Sequence, residues 1–268
     1  MPVFSTVARI VSAPVSLAKE PSAERVFATA ARRPRGHTGD AGRVRVDVIN
    51  DLADSLPELI AAARRLITPG QRSFLGITGA PGAGKSTLAQ MLEAELTPDA
   101  VLVSMDGFHL SDIELRRLGR YERKGAIDTF DSAGYVNLLR RLHSREDPIV
   151  YAPRFDRSIE ESIGSAIPIP RDVPLIITEG NYLLVEDSDW GNVRGLLDES
   201  WYVEPGDDER RRRLIARHVE FGRHPQEAYQ RSYGVDERNA EIIKATKRNA
   251  SRVVRLEASN HQTVNRKR

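Results

Sequence analysis

The chain has 268 residues, with 40 lysine and arginine residues, 38 aspartate and glutamate residues and no cysteine. This length suffices for one α/β domain with a full hydrophobic core, and the lack of cysteine excludes disulfides and thiolate metal sites. No apolar run approaches the ~20 residues that a membrane span needs, so a membrane-spanning protein is not expected.

The first 43 residues differ in composition from the rest of the chain. Residues 1–43 carry a net charge of +4, are rich in alanine, arginine, serine and proline, and show no sustained periodicity. We predict a disordered N-terminal extension that ends in a linker at Arg32–Gly42; an organelle transit peptide and sequence upstream of the true start are open alternatives. Because the whole chain is +2, residues 44–268 are net −2, so no nucleic-acid partner is expected despite a pI of about 8.9.

Helical and strand patterns alternate along the remaining chain. A helical pattern begins near Val46, and the capping box Ser55-Leu56-Pro57-Glu58 starts a new helix that runs to about Leu66. The later predicted elements are, in chain order, a strand at Phe74–Thr78, a helix at Ser86–Leu96, a strand at Ala100–Met105, a short helix opened by the capping box Ser111-Asp112-Ile113-Glu114, a helix at Ser132–His143, an extended segment at Ile149–Ala152, strands at Pro174–Thr178 and Ser200–Val203, helices at Asp207–Phe221, Pro225–Ser232 and Asp236–Thr246, and a strand at Arg252–Leu256. This alternation predicts a parallel sheet with helices on both faces.

A glycine-rich segment joins the first predicted strand to the helix that follows it. It reads Gly79-Ala80-Pro81-Gly82-Ala83-Gly84-Lys85-Ser86, is followed by Thr87, and fits G-x-x-x-x-G-K-[ST] at every fixed position. Its glycines let several backbone N–H groups point at one anion, and the helix N-terminus adds partial positive charge. We expect Lys85 to reach the β- and γ-phosphates of ATP and Ser86 to hold Mg²⁺. The dinucleotide fingerprint G-x-G-x-x-G does not fit, so NAD and FAD are not expected.

A carboxylate follows the second predicted strand. Asp106 lies at the carboxyl end of that strand, the edge at which a parallel α/β sheet binds its ligands. An aspartate–glycine pair is also a common turn, so this position alone leaves a purely structural role open.

Four further segments follow the phosphate loop in order. They are Asp106-Gly107-Phe108-His109-Leu110 with Lys124-Gly125 and Asp128-Thr129-Phe130-Asp131 downstream, Val150–Ile163, Pro174–Leu184 and Arg211–Arg223. Together with the loop they resemble the P-loop small-molecule kinases of the pantothenate kinase, uridine kinase and phosphoribulokinase superfamily, above all its sugar- and nucleoside-kinase-like branch, over about residues 72–257. The resemblance implies an α/β fold of the P-loop NTPase type, a three-layer sandwich with a five-stranded parallel sheet and an arginine-bearing lid helix. The expected kinase domain is 44–258, followed by a basic tail at 259–268.

The resemblance also implies roles for single side chains. Asp106 would accept the proton of the attacking hydroxyl, and Glu179 would hold Mg²⁺ through water or bind the acceptor. The residues expected at the acceptor are His109, Arg157, Glu179 and Asn181. Arg213 and Arg217, four residues apart on one helix face, would close over the phosphates.

These expectations describe a cytoplasmic, ATP- and Mg²⁺-dependent kinase for a hydroxyl of a sugar or polyol, a nucleoside or a pantothenate-like acid. Phe155 and Asp156 replace the tyrosine and serine of pantothenate kinases, and Gly107 and His109 replace the serine and tyrosine of uridine kinases, which disfavours both specific assignments. The alternative is a P-loop NTPase that hydrolyses ATP without an acceptor, although no switch segments are identifiable. A polynucleotide kinase is disfavoured by the net negative charge, and a homodimer is left open.

Overall fold

The computed structural model describes residues 54–255, which contain seven strands and seven α-helices. The strands are β1 (Ser73–Thr78), β2 (Ala100–Ser104), β3 (Ile149–Asp156), β4 (Glu161–Pro170), β5 (Leu175–Glu179), β6 (Glu199–Val203) and β7 (Arg252–Val254). The α-helices are α1 (Leu56–Arg64), α2 (Lys85–Leu96), α3 (Asp112–Arg117), α4 (Ser132–Ser144), α5 (Asp207–Glu220), α6 (Pro225–Tyr233) and α7 (Val235–Ala245). The predicted extension at 1–43, the start near Val46 and the tail at 259–268 lie outside the described residues.

Five of the strands form a parallel sheet in the order β2-β5-β1-β6-β7. Its central strand has apolar side chains on both faces, because Phe74 belongs to one buried cluster while Leu75 and Ile77 belong to another. Leu88 of α2 packs in the second cluster and Leu139 of α4 in the first. The predicted parallel five-stranded sheet with helices on both faces is therefore confirmed.

The two capping boxes read from the sequence begin helices as expected. The Glu58 carboxylate accepts a hydrogen bond from the Ser55 backbone N–H at 3.2 Å at the start of α1, and the Ser111 hydroxyl accepts one from the Glu114 N–H at 3.3 Å at the start of α3. Each bond satisfies a helix N–H or a flanking N–H that has no partner inside the helix. The second box is half formed, because the Glu114 carboxylate accepts instead from the Arg117 guanidinium at 2.6 and 2.7 Å.

A β-hairpin extends beyond the segment that the sequence predicted as extended. The sequence indicates Ile149–Ala152 alone, whereas β3 continues to Asp156 and pairs antiparallel with the unpredicted β4, with a register shift between Ala152 and Arg154. Pro153 interrupts the first strand, and the hairpin stands apart from the main sheet with much of its surface exposed. A proline argues against a strand, and exposed strands lack the alternation of apolar and polar residues, so neither β3 nor β4 is easily recognised from the sequence.

None of the helices between residues 54 and 255 is long and apolar enough to cross a membrane.

Candidate active site

The phosphate loop leaves the end of β1 and enters α2 through glycines, two of which leave no room for a Cβ. Gly79 has φ +149° and Gly82 has φ +84°, backbone conformations that side chains with a Cβ rarely adopt. A Cβ on Gly79 would lie 2.6 Å from the carbonyl oxygen of Val203, and one on Gly82 would lie 2.5 Å from that of Arg210. The loop is thus held closely against β6 and α5, and its shape leaves backbone N–H groups at the start of α2 for an anion.

Lys85, the first residue of α2, is buried beneath this loop. Its ammonium group donates to the carbonyl oxygen of Ala80 at 3.3 Å, and 7% of the residue is exposed. Burial lowers the pKa of Lys85 to about 8, against the opposing field of Glu179. A nearby anion such as a phosphate restores the preference of the amine for its charged form. The arrangement therefore favours binding of a negatively charged ligand.

Two carboxylates lie at the carboxyl ends of neighbouring parallel strands. Glu179 ends β5 and pairs in register with Ser104 of β2, whose hydroxyl donates to the Glu179 carboxylate at 2.5 Å. Asp106 follows β2 in a short 3₁₀ turn. Burial raises the pKa of Glu179, and the negative charge of Asp106 raises it further, while Lys85 opposes both effects. Asp106 therefore lies at the carboxyl end of the sheet, where the sequence predicted it, and Glu179 lies on the neighbouring strand.

The oxygen-bearing side chains here suit a magnesium ion. Ser86, Asp106 and Glu179 line one cavity, and hydroxyl and carboxylate oxygens are the ligands of hard cations. No cluster of three or more His, Cys, Asp or Glu side chains able to hold a metal occurs in residues 54–255. Magnesium commonly binds through one or two protein oxygens together with substrate phosphates and water. These side chains therefore suit a magnesium ion whose remaining ligands are nucleotide phosphates and water.

Asp106 forms an ion pair that the sequence did not indicate. An Arg157 guanidinium N–H donates to its carboxylate at 2.9 Å. The same guanidinium lies over the rings of Phe155 and Phe221, 5.6 and 6.0 Å from their centroids. Arg157 therefore connects the β3–β4 hairpin to Asp106 and to the end of α5, and it lines the cavity in which an acceptor contact was predicted for it.

His109 packs against two aromatic rings. Its ring centroid lies 4.0 Å from that of Phe130 and 4.8 Å from that of Phe155. Its Nδ1 is 2.8 Å from the backbone carbonyl oxygen of Asp106, and because a carbonyl only accepts, Nδ1 carries the proton. Burial lowers the pKa of His109. The imidazole is thus held neutral, with Nε2 as a hydrogen-bond acceptor.

The two arginines predicted for the lid face different surroundings. Arg217 lines the cavity, and burial, followed by the positive charge of Arg157, lowers its pKa. Arg213 donates to the Glu209 carboxylate at 2.6 Å and lies outside the cavity wall, although its guanidinium approaches within 3.5 Å of the point where a Cβ on Gly84 would stand. The helix places one arginine in the cavity and the other beside the phosphate loop.

A cavity of about 610 Å³ brings most of the predicted residues together. The predicted residues that line it are Pro81, Lys85, Ser86, Asp106, His109, Arg157, Glu179, Asn181 and Arg217. Thr87 is exposed, and Ala80 and Ala83 face a second cavity of about 330 Å³ that also borders the β6–α5 connection. Gly79, Gly82 and Gly84 shape the loop by their backbone and do not belong to either cavity wall.

Sequence reasoning missed several residues on the far side of the large cavity. Lys124 makes an ion pair with Asp112 at 2.6 Å and also donates to the Glu160 carbonyl oxygen. His218 of α5 bonds Asp236 of α7 at 2.8 Å. The remaining unpredicted lining residues with polar side chains are Tyr121, Glu122, Ser158, Arg223, Glu227, Arg231 and Asn239. The motif containing Lys124 was visible, but no local pattern links it to Asp112, and helices α6 and α7 carried no motif.

No protein-family model matches the chain, but individual proteins do. A candidate uridine kinase of Schizosaccharomyces pombe is 33% identical over 177 residues, which is 63% of this chain and 75% of that protein. A pantothenate kinase of Latilactobacillus sakei subsp. sakei is 30% identical over 145 residues, 52% of this chain and 47% of that protein. The crystal structure of a candidate fructose transport system kinase from Silicibacter sp. TM1040 superposes with a TM-score of 0.68 at 33% identity, over 75% of this chain and 99% of that chain.

Proposed function

The chain belongs to the superfamily of P-loop small-molecule kinases that includes pantothenate kinases, uridine kinases and phosphoribulokinases, and we propose on that basis that it transfers the γ-phosphate of ATP to a hydroxyl group of a small metabolite. One observation carries the proposal. The phosphate-loop lysine Lys85 and the strand-end carboxylate Asp106 line the same cavity, whose volume lies in the range of small-ligand pockets.

The phosphate side of the reaction is assigned to four side chains. The backbone N–H groups of the loop bind the triphosphate, and Lys85 and Arg217 offset the charge of the transferred phosphoryl group. Ser86 and Glu179 are the oxygen ligands for Mg²⁺. When bound, the ion neutralises charge on the β- and γ-phosphates.

The acceptor side is assigned to Asp106 and its neighbours. The acceptor oxygen attacks the γ-phosphorus in line with the leaving β-phosphate oxygen, its proton moves to the Asp106 carboxylate, and ADP leaves. Arg157 holds that carboxylate by the 2.9 Å ion pair, and His109 and Asn181 border the space for the acceptor. Lys85 and Arg217 thus act on the phosphoryl group, whereas Asp106 acts on the hydroxyl that receives it.

A coupled assay of ADP release tests the proposal. Purified protein, ATP and Mg²⁺ are incubated with pantothenate, nucleosides, ketoses, aldoses, polyols or glycerate, with Lys85→Ala as the matched control. At least one compound should raise ADP release well above the rate without acceptor, and mass spectrometry should find the phosphorylated product. Rapid ADP release that no compound stimulates would instead support the acceptor-free hydrolase.

A further inference from the structure

Carboxylates outnumber lysine and arginine side chains in the cavity. Seven carboxylates and six lysine or arginine side chains line it, and the proposed function assigns two of those cations, Lys85 and Arg217, to ATP. Arg231 donates to the Lys124 carbonyl oxygen at 2.7 Å and lies in the field of Asp236 and Glu160. An anionic group on the acceptor would enter a region in which carboxylates are at least as numerous as cations, which is electrostatically unfavourable.

Two of the four cations that remain for the acceptor region, Arg157 and Lys124, are paired with carboxylates, whereas Arg223 and Arg231 make no ion pair with a carboxylate among residues 54–255. Arg157 is paired with Asp106 at 2.9 Å. Lys124 is paired with Asp112 at 2.6 Å, and the lysine side chain is 11% exposed. Lys124 also lies 5.4 Å from the centroid of the Phe155 ring. Both groups can donate hydrogen bonds to a ligand, but neither offers an uncompensated positive charge to a carboxylate or phosphate.

His109 marks a position that suits a ligand hydroxyl better than a ligand carboxylate or phosphate. Because Nδ1 donates to the Asp106 carbonyl oxygen, Nε2 is an acceptor, and no hydrogen bond to Nε2 occurs within residues 54–255. A ligand carboxylate or phosphate has no proton to give it, whereas a hydroxyl does. The rings of Phe130 and Phe155, which pack against His109 and line the same cavity, offer apolar surface to the C–H groups of such a ligand.

We infer that the acceptor is an uncharged polyhydroxylated compound, a sugar, a polyol or the ribose of a nucleoside, and that Asp112 is a specificity-determining residue that excludes anionic acceptors by neutralising Lys124. This inference rests on the proposed kinase function. It selects among the acceptors that the sequence left open, because it rejects pantothenate-like and other acidic compounds.

The first test compares acceptors that share a skeleton and differ in charge. The pairs are glycerol and glycerate, pantothenol and pantothenate, glucose and gluconate, and fructose and fructose 6-phosphate, to which uridine and adenosine are added as uncharged nucleosides. In every pair that reacts, kcat/KM of the neutral member should exceed that of the anion by on the order of tenfold or more. Preference for the anion would overturn the inference and leave the kinase assignment intact. Failure of every compound to stimulate ADP release would contradict the proposed function itself, and the inference would fall with it.

The second test removes the carboxylate that is paired with Lys124. Asp112→Asn removes the carboxylate and should shift the ratio of kcat/KM values toward the anionic member of each pair by on the order of tenfold. The control is Glu114→Gln on the same helix, because Glu114 pairs with the exposed Arg117 at 2.6 Å outside the cavity. A ratio that moves equally in both variants, or in neither, would show that Asp112 does not set the acceptor charge. Thermal melting of both variants verifies that each is folded.

Discussion

The two sides of the large cavity are built in different ways. The loop of the phosphate side is a single stretch of chain, in which Lys85 bonds a carbonyl oxygen five residues away, and Glu179 and Arg217 join it from β5 and α5. The acceptor side is assembled from distant segments: Arg157 reaches Asp106 across 51 residues, Arg231 reaches Lys124 across 107 and Tyr182 reaches Gly125 across 57. The phosphate loop is one contiguous segment, so it can bind the same ligand in every relative that carries it. The acceptor side is built from several segments, so a change in any one of them can change which acceptor binds.

This contrast predicts that substitutions on the two sides will affect different kinetic constants. On the phosphate side, changes should weaken ATP binding and slow transfer for every acceptor. On the acceptor side, changes should leave ATP affinity intact and alter transfer or acceptor choice. A variant that breaks this separation would show that the two sides act as one unit.

Asp106→Asn should give the largest loss. The amide keeps the shape of the side chain and its ability to hydrogen-bond a hydroxyl, but it cannot take the proton, and a general base typically contributes ~10²–10⁴-fold to kcat. The KM for ATP should hold, because the phosphate loop makes those contacts. The measurement is kcat and both KM values at two Mg²⁺ concentrations. Recovery at high Mg²⁺ would reassign Asp106 to the metal, and an unchanged kcat would leave it as a turn residue.

The same contrast explains how much of the molecule could be predicted. The parallel sheet and phosphate loop follow from short-range patterns, namely apolar runs, capping boxes and one eight-residue motif. The ion pairs of Asp106 with Arg157 and of Lys124 with Asp112 could not be predicted, because pairing of charges far apart in sequence depends on the fold. The β3–β4 hairpin was partly missed for a related reason, since Pro153 and exposed strands obscure periodicity.

Lys85→Ala should give the next largest loss. It removes a charge-assisted contact worth about 1.5–3 kcal/mol, so kcat/KM for ATP should fall by roughly one to two orders of magnitude. Folding should survive, because within residues 54–255 the ammonium makes only one long hydrogen bond, at 3.3 Å to Ala80. Steady-state kinetics with each acceptor checks the separation of the two sides: the loss should be the same for all acceptors. A loss that depends on the acceptor would contradict it.

A smaller loss of kcat is expected for Arg217, and Arg213 on the same helix allows a direct comparison. Arg217→Ala should lower kcat by about tenfold, because it removes a cation from the cavity. Arg213→Ala is the matched control, since that guanidinium is bound by Glu209 at 2.6 Å, and kcat should stay within about threefold of wild type. Single-turnover kinetics separates transfer from ADP release. Equal losses in the two variants would mean that both arginines close over the phosphates.

The smallest effect is a pH dependence of ATP affinity. The pKa of Lys85 is lowered by burial to about 8 in the free protein, and a bound triphosphate raises it again because the ammonium gains an anionic partner. Below pH 8 the lysine is already charged and affinity should be flat. Above pH 8 binding must take up a proton, so Kd for ATP should rise with pH, approaching tenfold per unit at most.

Calorimetric titration of ATP in two buffers with different ionisation enthalpies checks this directly. At pH 8.5 to 9 the apparent binding enthalpy should differ between the buffers by an amount that reports proton uptake, and at pH 7 the difference should vanish. Lys85→Met should bind more weakly and show no such dependence, since its side chain does not titrate. If the wild-type affinity for ATP does not change up to pH 9.5, then Lys85 keeps an ordinary pKa, and its burial beneath the loop does not make ATP binding depend on pH.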